Sequence, residues 1–436
     1  MDYNFRTLNY LGSKLRLLDF IEENVRKVTP DDAGVCDLFA GSGCVSYKLS
    51  KLFPVVACDI QHYSRVICDA LLQPSTLSKE TVKAFLSEIK NSKSLLRDAF
   101  TPLIELEEEA IRNENLELLT DIIEHGSLEV YFLEKKESKI ASVQNQVHEK
   151  LKKTGFLGKE SLISRYYGGV YFSYSQAVQI DVIMDAIRHY PNTSGKNVLL
   201  SALLSTTSDV ACTVGKHFAQ PIKARDSKGN IKKLVYNKSI KDKTVDVTML
   251  FDEWLDKYIS QPKGKYHNTI LQGDYIECLK MLPDNIRTVY ADPPYTRDHY
   301  SRFYHVLETI ALDDVPELST VKNHGTTHIS NGIYRNNRHQ SPFCIRSKAP
   351  EAFKDMFKAI SASGRSLLLS YSPYDETKGS HPRVVTINQL ISWASDYFSN
   401  VKVVSAGHFT HNKLNSTEHF LESSDEAEIL IVCTNS

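Results

Sequence analysis

The chain has 436 residues, of which 42% are hydrophobic and 24% charged, so it is long enough to bury a sizeable core in one large or two ordinary domains. A formal net charge of −1 argues against a globally basic nucleic-acid binder, although a local basic patch is compatible with that average. The eight cysteines form no CxxC pair, which argues against a zinc site or a disulfide framework and predicts reduced thiols in the cytoplasm. The sequence contains neither a secretion signal nor a run of roughly 18 apolar residues, so we expect no membrane contact.

The predicted elements alternate between strands and helices along the chain. Residues 34–49 run from a short apolar strand through a glycine-rich turn into a helix, and PVVACDI (54–60) follows as a second strand. A polar stretch from Leu77 to Lys153 has helical spacing, which predicts a solvated helical insertion. Sheet-like segments then return at 268–275, 288–295, 366–372, 401–406 and 428–433.

This order of elements predicts an α/β fold. Its simplest form is one doubly wound, Rossmann-like sheet domain made of residues 1–75 and 262–436, in which the last two strands form an antiparallel hairpin. Residues 76–261 would then be a large insertion. Within it, residues 215–243 carry nine Lys or Arg against two Asp, and the stretch KKLVY is strand-like. This basic segment is the local patch that the net charge conceals.

The glycine-rich turn FAGSG, from Phe39 to Gly43, is the first candidate site. Gly41 and Gly43 let the backbone approach a ligand closely where the first strand ends. As a dinucleotide fingerprint the turn is incomplete, because Ser46 stands where the third glycine is expected, and the GK[ST] ending of a phosphate loop is missing. The pattern favours a nucleoside site in which Asp59, at the end of the second strand, accepts hydrogen bonds from ribose hydroxyls. A merely structural turn is the alternative.

Asp37 lies two residues before this turn and adds a negative charge. A carboxylate at that position repels pyrophosphate and attracts an ammonium group, so the ligand would carry a positive amino end. S-adenosylmethionine has such a group. A helix-capping role for Asp37 is the alternative.

The segment VYADPPYTRDHY (289–300) places an acid, two prolines and an aromatic ring after an apolar strand. Asp292 would emerge at the same sheet edge, while Pro293 and Pro294 stiffen the backbone and leave carbonyl oxygens unpaired. The two hydrogens of a nucleobase amino group would meet the Asp292 carboxylate and the Pro293 carbonyl. Those bonds would aim the nitrogen lone pair at an electrophile, as direct methyl transfer requires, with Tyr295 stacked on the base. A base in a duplex reaches such a pocket only by flipping out.

Four motifs, in this order along the chain, resemble those of the class α DNA adenine methyltransferases, the group to which the Dam methylase belongs. NYLGSK (9–14) is similar to the N-terminal cofactor motif and DLFAGSG (37–43) to the cofactor loop. CDI (58–60) is similar to the segment with the ribose acid, and ADPPY (291–295) to the catalytic motif. The resemblance covers the N-terminal and C-terminal thirds of the chain and implies a methyltransferase sheet around an inserted target-recognition region.

The resemblance also implies roles for individual residues. Tyr10 and Lys14 would line the cofactor and base pocket, although Tyr10 stands where the family often has tryptophan. Ile60 would pack on the cofactor adenine. QGDY (272–275) is similar to the segment before the catalytic motif, where Asp274 would hold the adenine amino group and Tyr275 would lie beside its ring.

The expected function is therefore an S-adenosyl-L-methionine-dependent, site-specific methyltransferase that acts on the N6 amino group of adenine in double-stranded DNA. A cognate restriction endonuclease acting on the same site is the expected partner, and no metal is expected. Cytosine C5 methylation is excluded, because it needs a cysteine nucleophile after proline and the chain has no Pro-Cys dipeptide. RNA adenine-N6 methylation, DNA cytosine-N4 methylation and a non-catalytic DNA-binding protein are the alternatives, with a nicotinamide oxidoreductase as a weaker one.

Two polar segments are candidates for DNA contact. The basic segment 215–243 suits phosphate binding, and the loop NHGTTHISNGIYRNNRHQSPFC (323–344) would lie near the flipped base. The histidines of the segment 407–420 are interpreted as polar contacts rather than metal ligands. The predicted DNA-binding residues are Lys216, Lys223, Arg225, Lys232, Lys233, Arg335, Arg338 and His339.

Overall fold

The structure is a computed structural model that describes residues 5–75, 77–91, 94–297, 299–323, 325–372, 383–405 and 428–435. The histidine-rich segment 407–420 lies outside these ranges. No helix within them is long and apolar enough to cross a membrane.

The strands and helices of the described ranges largely follow the predicted order. The strands are β1 (Gly34–Asp37), β2 (Val55–Asp59), β3 (Thr269–Gln272), β4 (Ile286–Ala291), β5 (Thr320–Asn323), β6 (Thr326–Ile329), β7 (Ser366–Tyr371), β8 (Asn400–Ser405) and β9 (Ile429–Thr434). The helices before β3 are α1 (Leu18–Val28), α2 (Cys44–Leu49), α3 (His62–Leu72), α4 (Lys79–Asn91), α5 (Leu95–Arg112), α6 (Leu116–His125), α7 (Leu128–Glu134), α8 (Ala141–Thr154), α9 (Leu162–Tyr167), α10 (Tyr174–His189), α11 (Thr193–Val210), α12 (Leu234–Lys243) and α13 (Val247–Ile259). The helices after β3 are α14 (Tyr275–Lys280), α15 (Tyr300–Phe303), α16 (His305–Leu312), α17 (Ala349–Ala362) and α18 (Ile387–Ser395).

Seven strands form one sheet in the order β3-β2-β1-β4-β7-β9-β8. The first five are parallel, whereas β9 runs antiparallel to both β7 and β8, which confirms the C-terminal antiparallel hairpin. The register pairs Asp37 with Tyr290 and Asp59 with Gln272, so β1, β2, β3 and β4 end near one another. Strand order reverses between β1 and β4, which is where ligands bind in open α/β sheets.

Both faces of the sheet are covered by helices, which confirms the doubly wound fold. Alternate residues of each strand point to opposite faces. Val289 and Leu367 pack with α14, α17 and α18, whereas Tyr290 and Leu368 pack with α1 and α2. Because both faces are buried, these strands read as continuous apolar runs in the sequence.

The helical stretch predicted between Leu77 and Lys153 is confirmed, since it contains α4 to α8. The strand predicted at KKLVY is wrong, because Leu234 begins helix α12. Its buried residues include Val235, Ser239 and Asp242, a spacing that buries one helical face and that a five-residue apolar window does not reveal.

The insertion shares a core with the sheet domain. Residues of α3, such as Ile67, pack in one apolar cluster with Leu199 of α11 and Phe251 of α13. The division into residues 1–75 with 262–436 and an inserted recognition region at 76–261 stays a prediction. The shared core means that the two parts fold against each other.

A buried ion pair ties three inserted helices together. Lys243 Nζ, at the end of α12, lies 2.7 Å from Glu107 Oε1 of α5, and both side chains are almost fully excluded from solvent. Lys243 also donates to the carbonyl of Gly169, while Glu107 Oε2 accepts from the backbone N–H of Tyr174, the first residue of α10. Each charge of the Lys243–Glu107 pair is therefore compensated only while the other is present.

We expect Glu107→Gln to destabilise the protein by about 3–5 kcal/mol, because it leaves the buried Lys243 ammonium without a counter-charge. Glu108→Gln, an exposed neighbour on the same helix, is the matched control. Denaturant unfolding followed by circular dichroism measures both. Equal unfolding midpoints for the two variants would show that the buried pair adds no net stability.

Candidate active site

A cleft opens at the carboxyl edge of β1, β2 and β4. The cleft lies where the strand order reverses, between β1 and β4. The N-terminal segment, the glycine-rich turn and the start of α14 line its sides. Most of the predicted cofactor and catalytic residues line it, namely Tyr10, Lys14, Asp37, Phe39, Gly41, Asp59, Ile60, Asp274, Tyr275, Asp292 and Pro294.

The glycine-rich turn needs its glycines for two different reasons. Gly41 has a φ of +52°, and a Cβ there would lie 2.6 Å from the hydroxyl oxygen of Tyr10. Gly43 has a φ of +73° and is the residue before α2, but it does not line the cleft. Gly41 therefore permits close packing of the N-terminal segment on the turn, whereas Gly43 permits the turn itself.

Asp59 joins the glycine-rich turn to the end of β2. Its Oδ2 accepts from the backbone N–H of Gly41 and its Oδ1 from that of Gln61, both at 2.8 Å. Burial raises the pKa of this carboxyl, and the two backbone hydrogen bonds oppose that effect. A carboxylate offers about four acceptor positions, so Asp59 can still accept hydrogen bonds from a ligand.

Asp37 carries an unpaired oxygen inside the protein. Ser46 Oγ donates to its Oδ2 at 2.6 Å, while Oδ1 is buried and has no hydrogen-bond partner among the described residues. Gly43, not Asp37, precedes α2, so the capping alternative is not observed. The serine at the third-glycine position therefore orients Asp37, and the free Oδ1 fits a positively charged amino group.

Lys14 holds two acids together at the mouth of β4. Its Nζ lies 3.0 Å from Asp292 Oδ2 and 3.4 Å from Glu428 Oε1, and its side chain is only 5% exposed. Burial alone would lower the pKa of Lys14, but Asp292 and Glu428 together raise it above its usual value. Burial raises the pKa of Asp292 and of Glu428, and Lys14 opposes that rise. The lysine therefore stays charged.

Glu428 belongs to the site but was not predicted from the sequence. This residue immediately precedes β9, and Ser370 Oγ of β7 donates to its Oε1 at 3.0 Å. Because β9 is antiparallel, its first residue lies at the edge where the parallel strands have their last. The available signal in the sequence was an acid directly before the final apolar run ILIVC. That signal places Glu428 at the site only when the direction of β9 is known.

Tyr295 of the catalytic motif lies beside the cleft. Its ring packs against Tyr371 with centroids 5.0 Å apart, and the Arg383 guanidinium lies 4.8 Å from its centroid. Arg383 is held in turn by the carbonyl and hydroxyl of Ser372. Pro293 is buried behind the cleft surface. The motif thus has one packed aromatic ring and one acid at the edge.

A second aromatic group forms the far end of the cleft. Phe39 lies 5.4 Å from Phe343 and Tyr275 lies 5.0 Å from Phe343, measured between ring centroids. Asp274 begins α14 and accepts from the backbone N–H of Ile276 at 3.0 Å. Phe343 was not predicted, and with Phe39 and Tyr275 it makes an apolar surface suited to a flat ring.

The predicted DNA-binding residues of the basic segment do not form one free patch. Lys216 Nζ lies 2.8 Å from Asp242 Oδ1, and Arg225 Nε lies 3.3 Å from Glu124 Oε1. Lys216 is half-buried and Arg225 is exposed, so each of these charges is offset by an acid at the surface. Lys223 and Lys233 are exposed and Lys232 is half-exposed. Contact with DNA stays a prediction for all five residues.

The residues predicted on the loop 323–344 have three different environments. Arg335 is buried, and both of its terminal nitrogens donate to the carboxylate of Asp314, so it is not a surface residue. His339 lines the cleft, where burial lowers its pKa and Asp274 opposes that effect. Arg338 is half-buried and packs on the ring of Tyr334. The loop also contains β6, which pairs with β5 in a small hairpin.

A family model matches most of the chain. The model of the family described as D12 class N6 adenine-specific DNA methyltransferases matches residues 10–157 and 236–367. Those ranges contain the glycine-rich turn, the start of α14 and the catalytic motif. Residues 158–235, which include most of the basic segment, lie between the two matched ranges.

Curated proteins give the same picture at low identity. The chain is 24% identical over 370 residues to the type II methyltransferase M.FokI of Planomicrobium okeanokoites, covering 84% of this chain and 44% of that protein. It is 26% identical over 374 residues to the modification methylase LlaI of Lactococcus lactis subsp. lactis, covering 85% and 47%. For the type II methyltransferase M.NlaIII of Neisseria lactamica the identity is 24% over 311 residues, covering 70% of each. The chain thus spans about half the length of M.FokI and LlaI.

Asp37 gives this site a testable pH dependence. Burial raises its pKa to about 7, above the value of ~3.9 in an unfolded chain. The folded protein therefore keeps a proton that the unfolded chain releases between these values, so this residue lowers the free energy of unfolding as pH rises through that window. We expect Asp37→Asn to flatten that part of the curve, measured by denaturant unfolding across the window. Parallel curves of unfolding free energy against pH for the wild-type protein and the variant would contradict the raised pKa of Asp37.

Proposed function

Because the chain belongs to the D12 class N6 adenine-specific DNA methyltransferases, we propose that it transfers a methyl group from S-adenosyl-L-methionine to the N6 amino group of adenine in specific double-stranded DNA. One observation carries the proposal. The buried, unpaired oxygen of Asp37 lines the same cleft as Asp292, so an acceptor for a cationic donor lies close to an acceptor for a nucleobase amino group.

Several residues of the cleft fit this cofactor. Asp37 Oδ1 would accept from the amino group of the methionine part, and Asp59 would accept from the ribose hydroxyls. The aromatic group at the far end of the cleft, Phe39, Tyr275 and Phe343, would pack on the adenine ring. Ile60 and Asp274, which line the same cleft, would lie at the edge of that ring. When bound, S-adenosylmethionine supplies an electrophilic methyl group on sulfur.

Asp292 would hold the target amino group and accept the proton that this group releases. The carboxylate accepts a hydrogen bond from one N–H, and the carbonyl of Pro293 accepts from the other, which directs the nitrogen lone pair away from both. A methylated amino nitrogen must lose one proton, and the Asp292 carboxylate is the acceptor closest to it. The ion pair with Lys14 keeps this carboxylate fixed before the base arrives.

The target base would leave the helix and stack on Tyr295. Unstacking and unpairing cost a few kcal/mol, and stacking on an aromatic ring offsets part of that cost. Sequence-specific contacts would come from the inserted region 76–261 and from the loop 323–344.

A restriction-modification role follows from the relatives. M.FokI and M.NlaIII are named type II methyltransferases, and LlaI and StsI are named modification methylases. By extension, this chain would act in the cytoplasm and protect DNA from a cognate restriction endonuclease that cuts the same site.

The direct test is methyl transfer from tritiated S-adenosylmethionine to a mixed-sequence DNA duplex. We expect label in DNA and its recovery as N6-methyl-2′-deoxyadenosine after digestion to nucleosides. A single-stranded RNA and a structured RNA, both of matched length, are the control substrates. Label only in RNA, label in cytosine, or no transfer with bound cofactor would each overturn the proposal in favour of one of the alternatives.

We expect Asp292→Asn to slow methyl transfer by roughly 100-fold or more, because the amide is a poorer acceptor for the proton that the reaction releases. Cofactor affinity should hardly change, since Asp292 contacts the base and not the methyl donor. Single-turnover transfer and calorimetric binding measure the two quantities. An equally large loss of cofactor affinity would show that Asp292 belongs to the cofactor site instead.

Asp59→Asn should weaken S-adenosylmethionine binding by roughly 1.5–3 kcal/mol, through the loss of charge-assisted hydrogen bonds to the ribose. The matched control is Asp32→Asn, an exposed acid before β1 and therefore at the opposite edge of the sheet. Calorimetric titration of S-adenosylmethionine into each ligand-free variant measures the two affinities. Wild-type affinity in the Asp59 variant would remove this residue from the cofactor site.

A further inference from the structure

Two arginines flank one tyrosine ring at the rim of the cleft. The guanidinium carbon of Arg338 lies 4.7 Å from the centroid of the Tyr334 ring, and that of Arg302 lies 5.9 Å from it. Arg302 directly follows Ser301 and Arg338 directly precedes His339, and both Ser301 and His339 line the cleft. We call Arg302 and Arg338 the rim arginines.

The rim arginines lack a counter-charge among the described residues. Neither forms an ion pair there, and Arg338 Nη1 is buried without a hydrogen-bond acceptor. The only protein acceptor of Arg338 in this part of the chain is the carbonyl of Arg335, which its Nε meets at 3.0 Å. Arg338 is half-buried, whereas Arg302 is exposed. Two like charges thus lie close to one ring, with one of them partly desolvated, which costs free energy in the absence of an anion.

Three of the other cations predicted to contact DNA are paired with acids. Lys216 is paired with Asp242, and Arg225 with Glu124. Arg335, three residues before Arg338, forms a two-pronged pair with Asp314. Within the described ranges, acids therefore balance these nearby cations but not the rim arginines.

The surroundings hold the rim arginines in place. The buried pair of Arg335 with Asp314 fixes the backbone whose carbonyl receives Arg338. The hydroxyl of Tyr334 donates to the carbonyl of Ala219, which anchors the ring that both guanidinium groups contact. Arg335 thus acts as a structural anchor for Arg338, and the uncompensated charges are preorganised.

We propose that the rim arginines bind a backbone phosphate of the DNA strand that carries the target adenine. Guanidinium groups bind phosphate oxygens through paired, charge-assisted hydrogen bonds, and an anion would satisfy both charges and the free Nη1 of Arg338. A base edge would not neutralise two cations. The flipped nucleotide enters the cleft past this rim, so its own backbone passes the two arginines. This inference rests on the proposed function, because it requires DNA at the cleft.

The test measures DNA affinity against salt for Arg302→Gln/Arg338→Gln. Fluorescence anisotropy with a labelled mixed-sequence duplex gives the slope of log affinity against log salt, and we expect this slope to fall by about one unit for each phosphate that the variant no longer binds. Cofactor affinity, measured by calorimetry, should stay at the wild-type value. The matched control is Arg287→Gln, an exposed arginine near the start of β4 and therefore at the opposite edge of the sheet, which should keep the wild-type slope.

The single variant Arg302→Gln keeps the test decisive if the double variant fails to fold, because Arg302 is exposed and its substitution leaves the packing of Arg338 intact. It should lower the slope on its own. A wild-type slope in a folded rim variant of a protein that binds and methylates DNA would overturn the phosphate site and leave the proposed function standing. Absence of DNA binding and methylation by the wild-type protein would instead overturn the proposed function.

Discussion

The ion pairs of Lys14 organise the whole reaction edge of the sheet. One buried ammonium joins an acid that follows the parallel strand β4 to an acid that precedes the antiparallel strand β9. The N-terminal segment that carries Lys14 also packs on the glycine-rich turn through Tyr10. Removal of this cation would leave the carboxylates of Asp292 and Glu428 near each other without a counter-charge, which disfavours ionisation of both.

Charge is layered from the inside of the cleft to its rim. Asp37, Asp59 and Asp292 lie inside it, and Lys14 pairs there with Asp292. Arginines lie around the opening. An acidic interior attracts a cationic small molecule and a basic rim attracts a polyanion, so under the proposed function the same site would sort its two charged ligands by depth. The low local dielectric makes this sorting stronger than it would be in water.

The sequence predicted the parts of the site that depend on local pattern. Asp37, Asp59 and Asp292 each follow an apolar strand, and parallel strands bring their carboxyl ends to one edge, so their meeting could be inferred from strand positions alone. The fold class followed from the same alternation of strands and helices. The glycine positions followed from the turn that they permit.

The parts that were missed or misread depend on distant partners. Glu428 reaches the site only because β9 runs antiparallel, and strand direction is not written in five apolar residues. Lys216 and Arg335 looked like free cations in the sequence, but acids 26 and 21 residues away neutralise them. Residue type at the surface therefore says little about charge available to a ligand until the pairing is known.

The position of β1 between β2 and β4 has a consequence for how the protein folds. β2 is its near neighbour in the chain, whereas β4 follows the entire insertion. Contacts between distant segments form slowly, because the entropy of closing the intervening loop is lost before the contact rewards it. Compaction of the inserted helices shortens that loop, so their folding sets the pace at which the two halves of the cleft meet. A nascent chain that has emerged only as far as the insertion has the glycine-rich turn but no reaction edge.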